Sequence, residues 1–108
     1  MKILFDQGTP VPLRDHLNDH VVETAFELGW SNLENGELLE AAEASFDLFI
    51  TTDQQIRYQQ NLAGRKLAIL VLLTTSWPRL RLCIPEIREA IENTQAGDYR
   101  EITIEKSL

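Results

Sequence analysis

Residues 47–53, with the sequence Asp-Leu-Phe-Ile-Thr-Thr-Asp, decide how the fold of this chain is interpreted. The apolar centre of this stretch predicts a short buried strand, which ends as Thr52 and Asp53 begin. A helix is predicted just before it, over residues 36–45, with apolar and acidic side chains on opposite faces. A helix that leads directly into a buried strand is typical of a sheet whose strands run parallel.

On both sides of this stretch, predicted strands and helices alternate. The strands are predicted over residues 2–5, 20–25, 47–51, 67–72 and 99–104. Helical segments are predicted from a Thr9 cap to about residue 17, over 36–45 with Asn35 as cap, within 54–62, and after Thr75 or Ser76. Pro85 should kink or divide the last helix. This order predicts an α/β protein, a three-layer α/β/α sandwich with a mainly parallel sheet of about five strands.

Length and composition set the limits on the class of protein. The 108 residues allow a single domain over 1–108, and 44% hydrophobic and 25% charged residues are typical of a globular protein. Cys83 has no second cysteine with which to pair, which fits a reducing compartment. The longest apolar run, residues 67–73, is too short for a membrane span, and the N-terminus lacks a signal-peptide core. We therefore expect a cytoplasmic protein without membrane association.

The charge is unevenly distributed along the chain. The net charge of −7 disfavours a protein that coats nucleic acid non-specifically. Residues 1–56 carry eleven acids against Lys2 and Arg14. Residues 57–88 carry a single acid, Glu86, against six bases: Arg57, Arg65, Lys66, Arg79, Arg81 and Arg88. This asymmetry fits a metal site beside a phosphate-binding rim, although the charge pattern alone favours ordinary solvated faces.

Three acids are expected at one edge of the predicted sheet. Asp6 follows the first strand, Asp53 follows the third, and Glu37 lies in the first turn of the helix that precedes the third. Ligands of parallel sheets bind outside the carboxyl ends of the strands. Converging carboxylates there would hold Mg²⁺ or Mn²⁺. These acids also have structural explanations, because an acid can close a strand, cap a turn or interact favourably with the helix dipole. Asn35 is interpreted mainly as a helix cap.

Three sequence blocks carry a resemblance to a known family. Asp6, residues 29–39 and residues 49–53 resemble the characteristic blocks of a short PIN-like domain family, similar to the toxin nucleases of bacterial toxin–antitoxin pairs. The resemblance covers about residues 1–75. It implies metal-dependent cleavage of RNA by clustered acids. Asp6 and Asp53 match metal-binding acids of the family, whereas Asn35 stands where an Asp is common. Glu37 would substitute for it, and Asn35 would be a weaker ligand.

Four residues are candidates for RNA contacts. Arg57 and Tyr58 lie in an amide-rich segment directly after Asp53, where they could contact phosphates and stack on bases. Arg79 and Arg81 follow the fourth strand and could form a phosphate-binding rim. For both pairs, an ordinary polar surface is the alternative interpretation.

Two functions remain open from the sequence. The first is a Mg²⁺- or Mn²⁺-dependent ribonuclease in which Asp6, Glu37 and Asp53 are catalytic, the resemblance adding the role of toxin with a small antitoxin protein as partner. The second is a non-catalytic PIN-like protein-interaction module, favoured by Asn35 and Gln55 at commonly acidic positions. Exposed strand edges and an apolar final helix are also compatible with a homodimer.

Overall fold

Five strands form one sheet in the computed structural model, which describes residues 1–60, 62 and 64–104. They are β1 (Lys2–Phe5), β2 (Val21–Thr24), β3 (Leu48–Thr51), β4 (Ala68–Leu72) and β5 (Tyr99–Ile102). Their order across the sheet is β2-β1-β3-β4-β5, and every neighbouring pair runs parallel. The predicted α/β class with a mainly parallel sheet of five strands is confirmed.

The central strands are apolar throughout because both faces of the sheet are covered. Along β1, Ile3 and Phe5 belong to one hydrophobic cluster while Leu4 belongs to another. The same alternation holds in β3, where Leu48 and Ile50 oppose Phe49. Side chains of successive strand residues point to opposite faces, so the two clusters are the two faces of one sheet.

Helical segments cover both faces. The α-helices are α1 (Asn35–Ser45), α2 (Ile56–Gln59), α3 (Trp77–Leu80) and α4 (Ile84–Glu92), with 3₁₀ helices at Val11–His16 and Arg81–Cys83. Leu13, Leu80 and Ile87 pack in the first cluster, whereas Leu39 and Ile56 pack in the second. The 3₁₀ helix at 11–16, α3 and α4 therefore lie on one face, and α1 and α2 on the other. This is the predicted three-layer arrangement.

The last helical region is divided as the sequence predicts. A 3₁₀ turn, Arg81–Cys83, separates α3 from α4, and Pro85 occupies the first turn of α4. Proline lacks a backbone N–H, and at a helix start that donor has no intrahelical partner to lose. None of the helices in the described part of the chain combines the length and apolarity needed to cross a membrane.

Two predicted helix caps are wrong. The 3₁₀ helix after β1 is capped by Pro10 and not by Thr9, and α1 is capped by Glu34 and not by Asn35. Glu34 and Glu37 form a reciprocal capping box in which each side chain accepts from the other residue's backbone N–H. Because this box satisfies the start of α1, the Asn35 side chain is available for another contact.

Candidate functional site

The candidate site lies where the strand order of the sheet reverses. β1 is flanked by β2 on one side and β3 on the other, so the connections that leave β1 and β3 diverge at their carboxyl ends. In doubly wound sheets such a switch point forms the ligand crevice. Asp6 follows β1 directly and Asp53 lies two residues beyond β3. The structure thus brings both acids to the same edge, as predicted.

Asp6 is held by the loop that follows it. Its Oδ1 accepts hydrogen bonds from the Gly8 N–H at 3.1 Å, the Thr9 N–H at 3.1 Å and the Thr9 hydroxyl at 2.7 Å. Its Oδ2 accepts from the Thr51 hydroxyl. A Cβ at Gly8 would lie 2.8 Å from the Thr52 hydroxyl oxygen, so the close approach of the two loops favours glycine.

Burial sets the ionisation of Asp6. It raises the pKa of this carboxyl above its ordinary value of 3.8, while the hydrogen bonds from Thr51, Thr9 and Gly8 oppose the rise. Desolvation disfavours the charged form of an acid, and the direction of the shift shows that it outweighs the four donors. An acid with a raised pKa at the edge of a sheet is the kind of residue found at functional sites.

Asp53 is joined to Asp6 through one hydroxyl group. The Thr51 Oγ1 donates to Asp6 and accepts from the Asp53 N–H at 3.0 Å. The two Asp53 carboxylate oxygens accept one bond each at 2.9 Å, from the Asn35 side-chain amide and from the Gln55 N–H. Asn35 therefore reaches the predicted site, where it orients Asp53. We name Asp6, Asn35, Thr51 and Asp53 the acidic pair network.

Glu37 does not join this network. Its Oε1 accepts from the Glu34 N–H at 3.3 Å, within the capping box of α1. The part of the chain that the structure describes contains no group of three or more His, Cys, Asp or Glu side chains able to hold a metal ion. The expected convergence of Glu37 with Asp6 and Asp53 is therefore not formed.

The carboxylate oxygens of Asp6 and Asp53 are the possible ligands for a divalent ion. An ionised carboxylate offers about four acceptor positions, and each Asp53 oxygen uses one. From the described residues, Asp6 Oδ2 likewise accepts a single bond, which Thr51 donates, whereas its Oδ1 accepts three. Mg²⁺ is commonly bound through one or two carboxylates and keeps waters or substrate phosphates as its other ligands. Asp6 and Asp53 therefore each keep acceptor positions of the kind that such an ion uses.

Arg57 and Tyr58, two predicted RNA contacts, lie on α2 and form a stack with the edge strand. The Arg57 guanidinium lies 4.7 Å from the Tyr58 ring and 6.0 Å from the Tyr99 ring. Its Nε is 3.9 Å from the Glu101 carboxylate. Tyr58 is 69% exposed, so its ring remains accessible beside a partly neutralised arginine.

Arg79 and Arg81, the other two predicted RNA contacts, are exposed on the opposite face of the sheet. They belong to α3 and to the 3₁₀ turn after it, the segment whose Trp77 ring lies 5.6 Å from the His16 ring. Neither guanidinium forms an ion pair with a carboxylate of the described residues. Arg57 and these arginines lie on different faces, so they do not form one continuous surface.

A cleft that the sequence did not indicate adjoins the acidic pair network. It has a volume of about 390 Å³ and lies between the loops after β1 and β2, with Asp6, Val11, Arg14, Phe26 and Glu27 in its wall. Arg14 and Glu27 form an ion pair at 2.7 Å, and this hydrogen bond lowers the pKa of Glu27. The sequence carries no motif for this cleft, since Phe26 lies in the short segment Ala-Phe-Glu-Leu-Gly and resembles an ordinary apolar residue.

The fold and the site together define a class: a doubly wound parallel α/β protein with a half-buried pair of acids at its topological switch point. Comparison of the chain with family models, curated proteins and solved structures gave no match.

Proposed function

We propose that this protein is a divalent-metal-dependent ribonuclease of the PIN-like type. The observation that carries the proposal is the placement of Asp6 and Asp53 at the switch point, where the Thr51 hydroxyl bonds the Asp6 carboxylate and the Asp53 backbone N–H. Two carboxylates held at the carboxyl ends of adjacent parallel strands, β1 and β3, form an edge suited to a hard cation and a phosphate. The resemblance of residues 1–75 to PIN-like nucleases supports the same conclusion.

Each residue of the network has a distinct role in this proposal. Asp6 and Asp53 would hold Mg²⁺ or Mn²⁺, which when bound neutralises phosphodiester charge and activates water. Thr51 bonds the Asp6 carboxylate and holds the Asp53 backbone N–H, and the Asn35 amide orients the Asp53 carboxylate. The loop at residues 7–9 supplies the donors that fix Asp6. Glu37 acts through helix capping and has no direct part.

The choice of RNA as substrate rests on the resemblance and on the flanking side chains. Arg57 with Tyr58 on α2, and Arg79 with Arg81 after β4, supply cations and an exposed ring on segments that start near the edge carrying the acids. The resemblance extends the proposal to the toxin of a toxin–antitoxin pair in the cytoplasm, with a small antitoxin protein covering the acidic edge.

The test compares metal binding and RNA cleavage in matched variants. Mn²⁺ binding is measured by calorimetry, and cleavage with a labelled single-stranded RNA, for wild type and Asp53→Asn. Asp47→Asn is the control, because Asp47 precedes β3 at the other edge and accepts from the Lys2 N–H at 2.8 Å. We expect Asp53→Asn to lose Mn²⁺ binding and RNA cleavage, and Asp47→Asn to keep both. Equal activity in the two variants would contradict the site.

The alternative is a non-catalytic PIN-like interaction module. The engagement of Glu37 in the capping box favours it, because the described residues then offer a metal no group of three or more ligating side chains. This alternative predicts a wild-type protein that neither binds Mn²⁺ nor cuts RNA. Replacing Asn35 with Asp, which adds back a carboxylate beside Asp53, would then be the variant most able to restore metal binding.

A further inference from the structure

Phe26 is the most exposed large hydrophobic side chain of the described residues. Its side chain is 73% exposed and lies in the turn directly after β2. Val11, 49% exposed, contributes to the same 390 Å³ cleft from the other side of the β1 loop. Apolar area left in water costs free energy, and here it is concentrated in a concave surface of the size that small ligands occupy.

The polar groups of this cleft disfavour a phosphate as its occupant. Among the described residues that line it, Arg14 is the one basic residue, and its charge is paired with Glu27 at 2.7 Å. Asp6 adds a second carboxyl group to the wall. Two acids against one base give the cleft an excess of negative charge, which repels an anion that no metal ion neutralises. A flat, neutral ring with polar edges suits these surroundings better.

We propose that this cleft is the base subsite of the nuclease, in which a nucleobase stacks on Phe26 while its phosphate lies at Asp6 and Asp53. The inference rests on the proposed function, since it names the part of an RNA substrate that the cleft takes. Asp6 belongs both to the cleft wall and to the acidic pair network, so base and phosphate of one nucleotide are adjacent. The Arg14–Glu27 pair offers donors and acceptors to the base edge.

The experiment isolates the base from the phosphate. Nucleoside 5′-monophosphates and ribose 5-phosphate are titrated into the full chain with Mg²⁺ present, and binding is followed by NMR. Stacking of a base on an aromatic side chain contributes about 1–3 kcal/mol. We therefore expect wild type to bind at least one nucleotide about fivefold more tightly, or more, than ribose 5-phosphate. In Phe26→Ala this ratio should fall to about one.

Two control variants sharpen the comparison. Phe26→Tyr keeps an aromatic face and should keep the ratio. Leu82→Ala removes a side chain of similar exposure, 55%, that is not part of the cleft wall, and should also keep it. A wild-type ratio of one, or an unchanged ratio in Phe26→Ala, would overturn the inference and leave the exposed ring to a protein partner.

RNA cleavage by the same variants separates this inference from the proposed function. If the protein binds nucleotides more tightly than ribose 5-phosphate but does not cut RNA, the nuclease proposal is contradicted and the base subsite is supported. If wild type shows no base preference and Phe26→Ala cuts RNA as well as wild type does, the nuclease proposal is supported and the base subsite is contradicted.

Discussion

The side-chain amide of Asn35 donates a 2.9 Å hydrogen bond to the Asp53 carboxylate, and so joins the start of α1 to the end of β3. An amide in this place neutralises part of the local negative field without adding a ligand charge. We therefore expect Asn35→Asp to lower the stability of the metal-free protein and to strengthen metal binding. Without metal, we expect two facing carboxylates to lower the free energy of unfolding by about 1–3 kcal/mol.

Mn²⁺ should then stabilise Asn35→Asp more than it stabilises wild type. An ion whose free concentration is 100 times its Kd adds about 2.7 kcal/mol to the free energy of unfolding. Thermal unfolding in EDTA and in Mn²⁺ measures both effects, with Asn35→Ala as the variant that removes the amide and adds no charge. If Asn35→Asp and Asn35→Ala respond identically to Mn²⁺, a carboxylate at position 35 adds nothing to cation binding.

Thr51→Val should separate the positioning of the acids from simple loss of stability. Thr51 is fully buried, and its hydroxyl serves both Asp6 and the Asp53 N–H. Valine keeps the shape and leaves those groups unpaired, so we expect unfolding to be easier by about 1–3 kcal/mol and Mn²⁺ binding to weaken.

Thr94→Val is the matched control for Thr51→Val. Thr94 is also buried, and its hydroxyl donates to the Ala90 carbonyl oxygen at 2.6 Å. We expect a stability loss of about 0.5–1.5 kcal/mol with Mn²⁺ binding retained. Equal Mn²⁺ affinity in the two valine variants would show that Thr51 has only a structural role.

Asp6→Asn should make the stability of the metal-free protein depend less on pH in the acidic range. The folded-state pKa of Asp6 is raised, so the folded chain binds this proton more tightly than the unfolded chain does. The contribution of Asp6 to stability is therefore full below its ordinary pKa of 3.8 and is lost as pH rises through the raised value.

Asparagine does not titrate, so the melting temperature of Asp6→Asn relative to wild type should increase between pH 3.5 and pH 7. Melting curves in EDTA across this range measure the difference. A constant offset between the two proteins over the range would contradict the raised pKa.

Glu37→Gln should leave metal binding unchanged. Glutamine also completes a capping box, so helix α1 keeps its start and stability changes little. Glu37→Ala should cost about 0.5–1 kcal/mol, again without loss of Mn²⁺ affinity. Calorimetric titration of both variants gives the answer, and a loss of affinity in Glu37→Gln would restore Glu37 as a ligand.

The sheet could be predicted from the sequence because its evidence is local. All five strands lie within or next to the predicted ranges, and Pro85 marked the division of the last helix. Apolar runs bounded by helix and turn residues are sufficient for this, since a parallel sheet buries both faces of each strand. The positions of Asp6 and Asp53 at one edge followed from the parallel direction of the strands that they end.

The hydrogen-bond partners could not be predicted, because several short polar residues competed for each local role. Thr9 has the chemistry of a helix cap, yet its hydroxyl bonds to Asp6 and to the Ile50 carbonyl oxygen, 41 residues away. Asn35 would cap α1 if the Glu34–Glu37 box did not. Tertiary contacts decide such competitions, and local propensity carries no information on them.

The crossover connection between β1 and β3 also determines when the acidic pair can exist. Asp6 is synthesised early, but its Thr51 partner arrives only after β2 and α1, and the two meet only through the parallel pairing of β1 with β3. Parallel pairing of distant segments forms more slowly than local structure. A nascent or partly unfolded chain therefore holds Asp6 without its Thr51 partner, and the site is assembled only by the folded sheet.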